Sequence, residues 1–107
     1  MYNNPDLERD VLVIIILFPD EYALYVKALE EDYFTIPLHK KIYTALKALD
    51  EQNKKIDILL LTDTIPEIQV FIDNAPTPAA DHISDYIAEL KKYKIKRDLD
   101  KLRSEEH

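Results

Sequence analysis

The chain is expected to fold as an all-α domain of five or six helices, and three observations predict it. Apolar residues recur at helical spacing through most of the sequence, capping residues and prolines punctuate it, and a strand formed by its β-branched apolar run would have no partner. With 107 residues, the chain can build one small core and not two. A hydrophobic content of 47% beside 33% charged residues is that of a folded domain rather than a disordered segment.

The elements follow in order. Asn4-Pro5-Asp6 reads as a helix start: a capping side chain, a proline at the first position, and an acid near the positive end of the dipole. The run VLVIIILF at 11–18 is apolar on every side, and its β-branched residues would also suit a buried strand. A helix is favoured, because one strand among helices would have no partner. Pro19-Asp20 restarts the chain with Asp20 as cap, and Tyr22, Tyr25, Val26 and Leu29 give a short amphipathic stripe. Glu30-Glu31-Asp32 is a solvated acidic turn into the aromatic pair Tyr33-Phe34.

The central element lies within 33–57. Leu38, Ile42, Ala45, Leu46 and Leu49 share one face of a helix, with Leu38, Ile42, Leu46 and Leu49 as its core positions. Lys40, Lys41, Thr44, Lys47, Asp50 and Glu51 fall mostly on the other face. Thr35 is expected to cap this helix, with Pro37 tolerated in its first turn. Asp57 then caps a short helix over 58–63. Thr64 and Glu67 match a capping box that opens another short helix carrying Ile68, Phe71 and Ile72. Pro76 and Pro78 break the chain, and a final helix is expected from about 79 to at least 102. This divides the chain into a head over 1–78 and a terminal helix over 79–107. The apolar stripe of that helix changes sides: Ile83, Tyr86, Ile87 and Leu90 form one, and Ile95, Leu99 and Leu102 another. At ~100° per residue, the second lies about 120° round from the first and needs a partner outside the head.

Composition also excludes. Glycine is absent, so the phosphate-cradling loops of P-loop ATPases and dinucleotide enzymes cannot form. Cysteine is absent, which removes disulfides, thiolate metal sites and a cysteine nucleophile; a reducing, cytoplasmic setting is expected. The net charge of −7 argues against direct nucleic-acid binding. The apolar run at 11–18 is far short of the ~20 residues that span a bilayer, so no membrane association is expected. His39 sits in the first turn of the central helix without a ligand-like neighbour on its own face, which favours packing or capping over metal binding. His82 is expected in solvent, and His107 is terminal. The remaining acids read as caps or exposed runs, so no catalytic pair, cofactor site or metal site is singled out. Lys91, Lys92, Lys94, Lys96, Arg97, Lys101 and Arg103 make the last helix basic; the dipole favours cations there, and an acidic protein partner or single-stranded DNA is the functional alternative.

Several of these residues together resemble a known family. Tyr33-Phe34, Pro37, His39, Ile42-Tyr43 and Ala45 resemble the D-F-x-x-P-x-H-x-x-I-F/Y-x-A run in the N-terminal domain of DnaB-type replicative DNA helicases. Ile56-Asp57, Asn74-x-Pro76, Ile83-x-x-Tyr86-Ile87, Lys96-Arg97-x-Leu99 and Glu8-x-Asp10 stand in the matching order. The chain departs from the pattern in Ile15, where the family carries glycine, and in a short 63–71 segment without a Gly-Gly turn.

The resemblance implies a non-catalytic helical head followed by a hairpin, of which the chain would hold a truncated first arm. ATP, Mg and hydrolysis would belong to a helicase domain outside this chain. It also implies a homo-oligomer (a dimer, and a hexamer in the parent) that docks the C-terminal domain of primase and in some species a loader. Self-association is then expected through Tyr93, Ile95, Leu99 and Leu102. The rival reading is the helicase-binding C-terminal domain of primase, which shares much of the architecture.

Overall fold

The computed structural model of the chain describes residues 2–105, with side chains to 104, so His107 lies outside it. The fold is all-helical, with six α-helices among the described residues and three short 3₁₀ turns between them.

Helix α1 (Pro5–Leu17) is the axle. Asn4 caps it by accepting from the Leu7 N–H at 3.2 Å, and Pro5 fills the first position. Val11, Leu12, Val13, Ile14, Ile15 and Ile16 are all buried, so the helix is surrounded on every side. A helix tolerates this because it satisfies its own backbone groups, which a lone buried strand could not do.

Helix α2 (Pro19–Tyr22) is a single turn that tightens into the 3₁₀ stretch Ala23–Ala28. Asp20 does not cap it. Pro19 already occupies the first helical position, which leaves the cap to Phe18, and Asp20 faces Lys55 at 3.8 Å. A second 3₁₀ turn, Glu31–Tyr33, delivers Tyr33 and Phe34 into the core, where Phe34 stacks on Tyr43 with centroids 5.4 Å apart.

Helix α3 (Pro37–Glu51) buries Ile42 and Leu46 completely, with Leu38, Ala45 and Leu49 packed at the core's edge. Thr35 does not cap it; Ile36 holds that position and Thr35 turns to another helix. The C-terminus closes on Asn53, whose φ of 55° is left-handed. Lys54 N–H returns to the Leu49 carbonyl at 2.9 Å and Asn53 N–H to Asp50 at 3.1 Å, the paired bonds of a Schellman motif. In a chain without glycine, asparagine supplies this turn.

Helix α4 (Ile58–Thr64) is capped by Asp57, which accepts from Leu59 N–H at 2.8 Å. The capping box expected at Thr64 and Glu67 does not form. Ile65 and Ile68 are both fully buried, and the tight turn between them leaves Thr64 at the end of α4. Glu67 precedes α5 (Ile68–Asp73) and faces Lys41 at 3.6 Å instead. After the prolines, Ala79 is extended and Ala80–His82 wind as one 3₁₀ turn, so α6 (Ile83–Glu105) begins a turn later than expected. Ile83, Ile87 and Leu90 lock its first half into the core, and the helix packs along α1. The molecule measures 48 × 26 × 26 Å.

Two consequences are measurable in a denaturant melt. Leu46→Ala empties a fully buried position and should cost about 2–5 kcal/mol; a midpoint that barely moves would misplace the core. Asn53→Ala puts a Cβ-bearing residue without asparagine's local hydrogen bonding in the left-handed turn and should cost about 1 kcal/mol, whereas Asn53→Gly should not destabilise.

Candidate interaction surface on the terminal helix

Two constructions position this surface: a buried polar joint in the head, and a clamp that holds α6 to it. The joint is centred on Glu8. This carboxylate lies one turn into α1 and is fully buried, although in the sequence it stands out only within the Glu8-x-Asp10 part of the family resemblance. Thr35 N–H donates to its Oε1 at 2.8 Å and the Thr35 hydroxyl to its Oε2 at 2.6 Å. His39 Nδ1 meets Oε1 at 3.1 Å, and Asn3 Nδ2 donates to the Thr35 hydroxyl at 3.0 Å. Burial opposes the charge on Glu8, but the hydrogen bonds from His39 and Thr35 and the nearby imidazole outweigh it and hold its carboxyl below the ordinary value of 4.5. An ionised carboxylate only accepts, so His39 Nδ1 carries a proton. The His39 ring also meets Phe71 edge-on, 5.7 Å between centroids. His39 therefore serves packing and positioning, and its carboxylate partner comes from another helix, not from its own face.

The clamp is Arg97. Its Nη1 donates to the Tyr2 carbonyl at 2.8 Å and its Nη2 to the Asp32 carbonyl. Beside it, Lys94 faces Glu30 at 3.8 Å, and the Lys96 ammonium sits over the rings of Tyr2 and Tyr93 at 5.9 and 5.6 Å. The stripe of α6 that faces the head thus changes chemistry. Leu90 is buried, and the residues above it at four, seven and eleven steps are Lys94, Arg97 and Lys101.

Ile95, Leu99 and Leu102 lie about 120–180° round from Leu90 and are 46%, 55% and 58% exposed. Tyr93 is half-buried between this outer face and the clamp. Leu99 and Tyr2 line one hollow of about 260 Å³, so Tyr2 extends the apolar surface in a way that its position in the sequence did not announce. A separate groove of about 650 Å³ runs between α3 and α4, floored by Ala45, Ala48, Leu49 and Leu60. Among the described residues no group of three His, Cys, Asp or Glu side chains converges as a metal site, and no helix is long and apolar enough to cross a membrane.

The joint makes a pH prediction. A carboxyl held below its unfolded value contributes stability that is present above that value and is lost as pH falls through the folded one. Stability should therefore drop below about pH 4.5, and Glu8→Gln should flatten that part of the profile. At neutral pH, Glu8→Ala strands three donors and should cost about 3–5 kcal/mol, against ~1–3 kcal/mol for His39→Gln. Chemical denaturation across pH distinguishes these; equal losses for the two variants would remove Glu8 from the centre.

Comparison with known proteins bears on the whole arrangement. The family model described as "DnaB-like helicase N terminal domain" matches residues 1–93, which spans α1 through the buried half of α6. Neither the curated proteins nor the solved structures give a match. The matched span contains the joint and the core, and it stops short of Ile95, Leu99 and Leu102. On that match, this chain belongs to the DnaB-like helicase N-terminal domain family.

Proposed function

We propose that the chain works as a non-catalytic assembly module of a replicative DNA helicase, pairing with copies of itself and receiving primase or a loader. The observation that carries this reading is the outer face of α6. Three large apolar side chains sit within about two helical turns, all roughly half exposed, on a helix whose other end is buried in the core. Single exposed leucines need no explanation, but a contiguous apolar stripe marks a surface made to be covered. Because the family match ends at residue 93, self-association here rests on the physics of that surface.

Primase, the partner that the family resemblance implies, has a second apolar surface available in the α3–α4 groove. ATP binding and hydrolysis would reside in a helicase domain, since a glycine-free chain cannot form the phosphate loop. The primase-side reading loses ground, because the matched family is that of the helicase.

Light scattering after size exclusion tests the proposal. The chain should run as a dimer or larger, and Leu99→Asp should reduce its mass while the helical signal and the melt persist. An unchanged mass in that variant would overturn self-association through this face. Mixing with the primase C-terminal domain from the same source should give a complex. A monomer that ignores primase and instead binds the helicase ring would move the chain to the primase side.

A further inference from the structure

The stripe of α6 that turns from apolar to cationic does not simply end in solvent. Lys94, Arg97 and Lys101 stand over the segment 32–40 and enclose with it a cleft of about 320 Å³, to which α3 adds Lys40. Asp32 and Asp98 are the carboxylates on its walls, so four cations face two acids in a chain whose net charge is −7.

Among the described residues, ion pairing engages only Lys94 of the four cations. Arg97 spends its two described bonds on backbone carbonyls, which fix the guanidinium without neutralising it. Lys40 and Lys101 meet no carboxylate among the described residues. Lys94 is shared loosely between Glu30 at 3.8 Å and Asp98 at 3.6 Å. Holding like charges together in a concave site costs free energy unless an anion occupies it, and concave walls strengthen the field that an anion would feel.

We propose that this cleft binds a phosphate-bearing polyanion, with Arg97 as its fixed donor and Lys40, Lys94 and Lys101 as the closing cations. A single carboxylate would offset one charge, whereas among the described residues three of these cations form no ion pair with a carboxylate, which favours linked phosphates. Arg97 retains three N–H donors beyond the two in use, a fork suited to phosphate oxygens. The source of the phosphates is either a free polyphosphate or the backbone of a single strand. This local balance runs against the expectation that the chain's overall charge sets, and it is independent of the assembly reading.

The test titrates the full chain, followed by amide NMR and calorimetry at low salt, with pyrophosphate, a short oligothymidylate and hexaglutamate as separate probes. Pyrophosphate should bind with shifts centred on Lys40, Arg97 and Lys101 and weaken as salt rises. The double variant Lys40→Gln/Lys101→Gln breaks no described ion pair and should weaken binding at least about tenfold, a loss of roughly 1.4 kcal/mol. Lys55→Gln, outside the cleft, should leave it unchanged. Oligothymidylate binding far more tightly than pyrophosphate assigns the site to a strand backbone; the reverse assigns it to free polyphosphate. Binding by neither, equal binding in the double variant, or binding by hexaglutamate alone would each overturn the proposal.

Discussion

The buried carboxylate of Glu8 is the constraint on which the rest of the arrangement depends. A charge without water is costly, and this one persists because three donors reach it from the approach to α3 and its first turn. Those bonds tie α1 to Thr35 and His39, and through Asn3 they tie the N-terminal segment to the same point. The two carbonyls that Arg97 grips, on Tyr2 and Asp32, lie within three residues of Asn3 and Thr35. The hydrogen-bonded charge in the head thus helps to place the two carbonyls against which Arg97 holds α6, beside the packing of that helix on α1.

Turns in this chain are made without glycine, and the structure shows how. Asn53 alone among the described residues takes a positive φ, where it supplies the left-handed step of the α3 C-terminus. Elsewhere the changes of direction are achieved by proline at first helical positions and by 3₁₀ turns, neither of which needs positive φ. Short, tight connections keep the core continuous from Val11 to Leu90.

What could be read in the sequence was what periodicity and local chemistry determine. The all-helical class, the buried face of α3 at Ile42 and Leu46, the Asn4 and Asp57 caps, and the rotation of the α6 stripe are all local patterns. Three expected caps failed, two of them to competition from elsewhere in the fold and one to a neighbouring proline. Thr35 gives its hydroxyl to Glu8, Pro19 displaces Asp20, and burial of Ile65 and Ile68 pulls Thr64 and Glu67 out of register. The joint itself was illegible because Glu8 and His39 are 31 residues apart and nothing local pairs them. The Arg97 clamp was hidden similarly, since its acceptors are backbone carbonyls, which carry no residue-type signal.

The composition of α6 explains why its second stripe remains available. Had the head-facing positions above Leu90 stayed apolar, the helix could have continued down into the core and buried its whole length. Lys94, Arg97 and Lys101 prevent this, because desolvating three cations against the head would cost more than the apolar contact would return. Arg97 holds the helix down by hydrogen bonds at its margin, and the apolar residues are assigned to the opposite side. The helix is thus committed to the head by one face and to solvent, or to whatever covers Ile95, Leu99 and Leu102, by the other. A terminal helix built only for the head would have no reason to carry that second face.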